Sequence, residues 1–179
     1  SVPVPHTAMV LAAGLGTRMR PLTDDCPKPL IKERGKALID RMLDPLVAAG
    51  VKRAVVNVHY LADQVEAHLK SRTDIEIIIS DERGDVLETG GALAKARPLL
   101  GDDPILVANT DAFWEPAGPE PVEALADAFD PAAMDALLLV ADTGRTLGFG
   151  GPGDFFRHED GSMTRRGDAP SAPYAFCGL

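Results

Sequence analysis

A glycine-rich stretch near the start of the sequence has the residue types of a phosphate-binding loop. It follows a short apolar run, and Gly14 and Gly16 allow the backbone to turn sharply and to approach a ligand closely. Thr17 adds a hydroxyl group, and Arg18 and Lys28 add positive charge. Backbone N–H groups and cationic side chains at the end of a strand form an anion site. We therefore predict that this loop binds phosphate groups.

Two other phosphate-binding patterns do not fit this stretch. The Walker A loop requires G-x-x-x-x-G-K-[ST], which is absent. The dinucleotide-binding fingerprint requires G-x-G-x-x-G, and Met19 stands where its third glycine would be. An oxidoreductase is therefore a weak alternative. The other alternative is a plain glycine turn that carries surface arginines.

A second set of candidate residues follows the predicted strand at 104–108. Asn109 and Asp111 come at its carboxyl end, the edge of an open α/β sheet at which ligands bind. A carboxylate beside phosphates suits Mg²⁺, which takes one or two protein carboxylates together with phosphate oxygens and waters. We predict that Asp111 binds Mg²⁺ and that Asn109 contacts a substrate or the waters of the metal. The alternative for both residues is a strand-end turn or a helix cap.

The remaining elements must bring these two sets of residues together. Apolar runs predict strands at 8–13, 54–58, 75–79, 104–108 and 136–141. Helical spacing of apolar residues predicts helices at 37–49, 62–70, 89–99 and 119–129, with Gly50 ending the first and Thr89 capping the third. Strands that alternate with helices predict an α/β fold, with a mostly parallel, Rossmann-like open sheet and flanking helices.

The pattern changes after residue 143. The segments 154–157 and 163–166 flank a turn and predict a β-hairpin that projects from the sheet. Residues 173–179 begin another strand, from which we expect further C-terminal sequence to belong to the fold. The expected organisation is a flexible N-terminal arm, 1–7, and one domain, 8–179.

Composition limits the partners. The net charge of −9 argues against nucleic acid or an anionic membrane as a partner, because these favour a basic face. No apolar run approaches the roughly 20 residues needed to span a bilayer. Cys26 and Cys177 show neither metal-ligand spacing nor a disulfide framework, which favours the reducing cytoplasm. We expect a monomer or a small homo-oligomer.

The first stretch is also similar to a family motif. L-A-A-G-x-G-T-R-M-x-P-L-T at 11–23, followed by K-P at 28–29, resembles the N-terminal motif of the sugar-1-phosphate nucleotidylyltransferases. The resemblance implies the nucleotide-diphospho-sugar transferase fold, with a nucleotide-binding half at 8–111 and a sugar-binding half at 112–179. It also implies a Mg²⁺-dependent reaction in which a nucleoside triphosphate and a sugar 1-phosphate give a nucleotide sugar and pyrophosphate.

The same resemblance assigns roles to individual residues. Catalytic roles are implied for Arg18, Lys28 and Asp111, and metal binding is implied for Asp111. Nucleotide binding is implied for Leu11, Ala12, Ala13, Gly14, Gly16, Thr17, Arg18, Lys28, Glu82 and Gly90, with Glu82 or Arg83 reading the edge of the base. Contacts with the sugar phosphate are implied for Asn109, Gly148 and Asp168. The family carries a second metal-binding aspartate late in the chain, and no candidate for it stands before Leu179.

A second block narrows the resemblance. L-E-T-G-G at 87–91 and N-V-H-Y-L-A at 57–62 resemble the uridylyltransferases that act on N-acetylmuramate 1-phosphate. This implies UTP as the donor and a role in recycling cell-wall precursors. The alternatives within the family are a mannose-1-phosphate guanylyltransferase and a glucose-1-phosphate uridylyl- or thymidylyltransferase. The alternative from another class is a nucleotide-binding regulatory module without catalysis.

Overall fold

The computed structural model describes residues 2–112, 118–146 and 149–179. Its strands are β1 (Thr7–Leu11), β2 (Lys32–Glu33), β3 (Lys36–Ala37), β4 (Arg53–Val58), β5 (Glu76–Asp81), β6 (Leu106–Asn109), β7 (Val140–Asp142), β8 (Phe155–Arg157), β9 (Met163–Arg165) and β10 (Tyr174–Phe176). Its helices are α1 (Leu38–Ala49), α2 (Ala62–Leu69), α3 (Thr89–Leu100) and α4 (Glu120–Ala128), with short 3-10 turns at Thr17–Met19 and Lys28–Leu30.

A four-stranded parallel sheet in the order β5-β4-β1-β6 carries the fold. The two central strands, β1 and β4, are buried on both faces, and successive side chains alternate between two hydrophobic clusters. Ala8 and Val10 of β1 belong to the cluster under α1, α2 and α4, whereas Met9 belongs to the cluster under α3. All three side chains are 0% exposed. The predicted parallel sheet with helices on both faces is confirmed.

The helix boundaries agree with the predicted ones to within one residue. Gly50 takes φ 103° after α1, so it is the left-handed residue that ends this helix. Pro45 lies within α1 and Pro98 within α3, and neither ends its helix. The predicted cap at Thr89 is wrong, because Glu88 is the N-cap residue and no side chain bonds the free N–H groups there.

The last part of the chain forms a second, antiparallel sheet in the order β7-β10-β8-β9. The predicted hairpin is confirmed as β8 and β9. The predicted fifth strand at 136–141 is wrong as a member of the parallel sheet. Only residues 140–141 of this run belong to a strand, β7, and β7 pairs with β10 in the second sheet.

The C-terminal segment lies beside the end of β6. The N–H of Asn109 donates to the carbonyl of Gly178 at 2.9 Å. On the other side of the segment, the N–H of Leu139 donates to the carbonyl of Leu179, also at 2.9 Å. Residues 177–179 therefore lie between the end of β6 and the segment that leads into β7. None of the helices in the described ranges is long and apolar enough to cross a membrane.

Candidate active site

A cavity of about 810 Å³ opens at the carboxyl edge of the parallel sheet. The loop after β1, the segment after β5 and the end of β6 surround it, as the topology of an open α/β sheet predicts. Its lining includes Leu11 to Met19, Lys28, Pro29, Asn57, Val86 to Gly90, Ala92 and Asn109 to Asp111. The two sets of residues singled out in the sequence thus face one space.

Two side chains from neighbouring strands hold the end of β1 in place. The side-chain oxygen of Asn57, on β4, accepts a hydrogen bond from the N–H of Ala12 at 2.7 Å. On the other side, the hydroxyl of Thr110 donates to the carbonyl of Leu11 at 3.0 Å. Both side chains are buried. The backbone that enters the loop is therefore fixed by hydrogen bonds from β4 and from the residue after β6.

Gly16 is a structural requirement of the loop. It takes φ 65°, and a Cβ atom there would lie 2.8 Å from Cγ2 of Thr23. Thr23 is 1% exposed and donates from its hydroxyl to the carbonyl of Gly16 at 2.7 Å. The hydroxyl of Tyr60 in turn donates to the carbonyl of Thr23 at 2.6 Å. These contacts close the loop and place Arg18, in the 3-10 turn, at the cavity.

Gly14 and Gly90 are glycines that the fold itself does not require. A Cβ atom at either position would meet nothing within 4 Å, and neither residue has a positive φ. Both line the cavity, Gly14 from the loop after β1 and Gly90 from the start of α3. Bare backbone at these two points leaves room for a ligand to approach the N–H groups closely.

A lysine and an aspartate meet across the mouth of the cavity. Nζ of Lys28 lies 3.0 Å from Oδ2 of Asp111, and their side chains are 28% and 49% exposed. Lys28 is held by the 3-10 turn that it begins, and Asp111 comes two residues after β6. A cation and a carboxylate are thereby placed at the same point, where they neutralise each other.

The carboxylates at the cavity suit a metal that shares its coordination with substrate. No cluster of three or more histidine, cysteine, aspartate or glutamate side chains exists among the described residues. Asp111 and Glu88 line the cavity, but they follow strands at opposite sides of the sheet order. One accessible carboxylate fits Mg²⁺, which completes its octahedron with phosphate oxygens and water, and does not fit a metal held by protein alone.

Glu82 and Arg83, from which a contact with the base was predicted, are not among the residues that line the cavity. Glu82 is 0% exposed, and its Oε1 accepts from the N–H of Leu87 at 2.9 Å. It thus shapes the segment that carries Val86 and Leu87 into the cavity. Its Oε2 is buried and has no partner among the described residues.

The guanidinium of Arg83 points to α2. It forms ion pairs with Asp63, Glu66 and Asp81, each at 2.7 Å. The backbone N–H of Arg83 and this ion pair hold the pKa of Asp81 below its usual value. These ion pairs hold the side chain of Arg83 at the surface beside α2, and Arg83 does not line the cavity.

The remaining predicted residues differ in where they lie relative to the cavity. Asp168 is exposed in the loop after β9 and is not among the described residues that line the cavity. Gly148 lies outside the described residues. Nδ1 of His59, which follows β4, lies 2.6 Å from the carbonyl oxygen of Glu82. Asn109 lines the cavity, at the end of β6.

Sequence reasoning missed Asn57 and Thr110 as site residues. Asn57 stands in the run A-V-V-N-V, where an amide among fully buried apolar residues is unusual. That signal could have indicated a polar role at the strand end. Thr110 carries no such signal, because a threonine between Asn109 and Asp111 is ordinary in a turn.

Comparison with known proteins identifies a family and similar sequences. A sequence model described as nucleotidyl transferase matches residues 7–151. The N-acetylmuramate alpha-1-phosphate uridylyltransferase of Caulobacter vibrioides is 52% identical over 98% of this chain and 74% of its own length. The protein of the same name from Neisseria meningitidis serogroup B is 48% identical over 60% of this chain and 48% of its own length.

A solved structure gives the same fold at lower identity. A UDP-glucose pyrophosphorylase, crystallised with UDP-glucose, superposes with a TM-score of 0.71 at 20% identity. The superposition covers 96% of this chain and 74% of that protein. The match over residues 7–151 and the 52% identity to the Caulobacter protein show that the chain belongs to the nucleotidyl transferase family.

Proposed function

We propose that the protein transfers uridine monophosphate from UTP to N-acetylmuramate 1-phosphate, releasing pyrophosphate. The choice of substrates is supported by the two uridylyltransferases named above and by the L-E-T-G-G block, whose residues 87–90 line the cavity. The placement of Lys28 against Asp111 carries the proposal, because it sets a cation for the phosphates beside a carboxylate that could hold Mg²⁺.

The layout of the cavity suggests how a nucleotide would lie in it. Arg18, Lys28 and Asp111 are near the β1 loop and the end of β6, which suits the phosphates. The segment 86–90 follows β5, at the other side of the sheet, which suits the base. Backbone N–H groups of 14–17 would hold the terminal phosphates, and Gly14 and Gly90 would allow close approach.

The reaction is a displacement at the α-phosphorus. An oxygen of the sugar 1-phosphate attacks it, the bond to the bridging oxygen breaks, and pyrophosphate leaves from the opposite side. The attacking oxygen is already an anion at neutral pH, so no proton has to be removed. The barrier comes from charge repulsion and alignment, and fixed cations lower it in the transition state.

Each residue would then have a definite task. Lys28 would neutralise the α-phosphate and the incoming phosphate, and Arg18 would hold the leaving phosphates. Asp111 would hold Mg²⁺, which supplies further positive charge to the phosphate oxygens when bound. Asn109, at the end of β6, would contact the acceptor sugar phosphate. We further propose that the reaction takes place in the cytoplasm, in the recycling of cell-wall precursors.

Turnover measurements test the proposal. The chain is incubated with Mg²⁺, each of the four ribonucleoside triphosphates and dTTP, and with N-acetylmuramate, glucose or mannose 1-phosphate. Pyrophosphate release and the nucleotide sugar are both measured. We expect the largest kcat/KM for UTP with N-acetylmuramate 1-phosphate. A clear preference for GTP with mannose 1-phosphate, or UTP binding without any product, would contradict the proposed substrates or the proposed catalysis, respectively.

A further inference from the structure

Asn57 has a hydrogen-bond donor that the protein leaves unused. Its side chain is 3% exposed, between Val56 and Val58, which are both 0% exposed. The oxygen of its amide accepts from the N–H of Ala12, but no described residue accepts from its NH₂ group. The residue lines the cavity. This NH₂ group is not one of the polar atoms that the described structure closes off without a partner, so a ligand in the cavity can reach it.

The orientation of this amide follows from its bonding. A backbone N–H can only donate, so the atom 2.7 Å from the nitrogen of Ala12 must be the oxygen of Asn57. The amide is planar, so the same bond fixes where its NH₂ group lies. Asn57 therefore offers the cavity a donor and no free acceptor, which favours a ligand atom that accepts a hydrogen bond.

The sheet register shows which part of a nucleotide this donor would meet. Asn57 on β4 and Asn109 on β6 are both partners of Leu11, so they stand at the same level on either side of β1. Two strand spacings, about 10 Å, separate them. If the phosphates lie at Lys28 and Asp111, on the β6 side, the far end of the nucleotide reaches β4. That far end is the base.

We propose that the NH₂ group of Asn57 donates to a carbonyl oxygen of the nucleobase and so contributes to recognition of the base. Uracil presents two such oxygens, O2 and O4. Cytosine shares O2 but carries an amino group in place of O4, so a contact at O4 would also disfavour cytosine by placing donor against donor. The inference rests on the proposed function, since it takes the positions of the phosphates from it. It assigns to Asn57 both the fixing of Ala12 and the reading of the base.

Calorimetry with two ligands separates these roles. UTP and ribose 5-triphosphate share the sugar and phosphates, and only UTP has a base. In Asn57→Asp, an oxygen still faces Ala12 but the N–H donor is gone. We expect the preference for UTP over ribose 5-triphosphate to fall about tenfold in this variant. Any repulsion between the new carboxylate and the phosphates affects both ligands and cancels in the ratio.

Thr110→Val is the matched control, because it removes the hydrogen bond to Leu11 on the other side of β1. It should weaken both ligands to the same extent and leave their ratio unchanged. An unchanged ratio in Asn57→Asp would overturn the role in base reading while leaving the proposed function intact. Failure of the wild-type chain to bind either ligand would overturn both.

A second measurement needs no variant. Sulfur accepts hydrogen bonds more weakly than oxygen, so the wild-type chain should bind either 2-thio-UTP or 4-thio-UTP less tightly than UTP. The weaker analogue identifies the oxygen that Asn57 reads. Equal affinity for UTP and both thio analogues would contradict the inference.

Discussion

Replacing Lys28 by methionine should separate catalysis from stability. The substitution removes the ammonium group but keeps a side chain of similar length. In the free protein the lost partner is Asp111, at 3.0 Å, and the two side chains are 28% and 49% exposed. An ion pair as accessible as this one contributes about 0–1 kcal/mol to the free energy of unfolding. In a domain of this size, that corresponds to a fall in Tm of at most about 2–4 °C.

The expected effect on turnover is much larger. In the proposed transition state Lys28 faces negatively charged phosphate oxygens. The walls of the cavity partly exclude water there, so the attraction is stronger than it would be at the surface. Removing one fixed donor from such a site lowers kcat about 10²–10³-fold. We therefore expect Lys28→Met to keep its fold and to lose nearly all uridylyl transfer.

The assay pairs thermal unfolding with steady-state pyrophosphate release. Lys36→Met is a matched control, since Lys36 pairs with Asp44 at a comparable exposure, 51% and 36%, but does not line the cavity. It should show a similar small change in Tm and an unchanged kcat. If Lys28→Met retains kcat within threefold of the wild type, the assignment of Lys28 to the phosphates is refuted.

Three further changes test other parts of the structure. Gly14→Ala should leave Tm unchanged and weaken UTP binding, as measured by calorimetry. Gly16→Ala should lower the free energy of unfolding, measured in urea, by about 1–3 kcal/mol, because Gly16 has a positive φ and its new Cβ would contact Thr23. Equal losses of Tm in the two variants would contradict this difference. Burial would raise the pKa of Asp44, but hydrogen bonds from Lys36 and Arg72 outweigh it and hold the pKa below the ordinary 3.8. The resulting stabilisation is therefore present above pH 3.8 and is lost as the pH falls through the lowered value; urea unfolding of Asp44→Asn should show less pH dependence there than the wild type, and an unchanged profile would be evidence against it. Gly178→Ala would place a Cβ atom 2.4 Å from the Cβ of Ala112 and so displace the backbone next to Asp111. We expect kcat to fall by more than the loss of Tm explains. A normal kcat would show that the position of Asp111 does not depend on this contact.

The parallel sheet could be predicted because its signal is local. Each buried strand is a short apolar run, and each helix between strands has its own apolar face, so the order of elements alone requires parallel crossovers. The loop around Gly16 could be predicted for a similar reason. Its glycine, hydroxyl and cationic residues stand close together in the sequence.

The second sheet depends on contacts between distant parts of the chain. Leu139 pairs with Leu179, and Asn109 pairs with Gly178, and nothing in the composition of 136–141 indicates these partners. The apolar character of that run predicts a strand but not the sheet it joins. A prediction from periodicity therefore found the strand and placed it in the wrong sheet.

The site shows the same limit at the level of side chains. The family resemblance indicated that the segment after β5 holds the base, but it did not indicate that Glu82 turns inward to bind Leu87. Asn57, on the neighbouring strand, lines the cavity, and Glu82 is not among the residues that line it. Which of several polar residues reaches a cavity is decided by packing, and packing is not visible in the spacing of residues along the chain.

The central claim is that the phosphates of two substrates meet between Lys28 and Asp111. A crystal of the chain grown with UTP, with Mn²⁺ in place of Mg²⁺, tests it directly through the anomalous signal of manganese. We predict a peak within coordination distance of a carboxylate oxygen of Asp111, with the α-phosphate bound to it and Lys28 turned to the phosphate. A manganese peak and a triphosphate that both lie away from Asp111 and Lys28 would contradict the account.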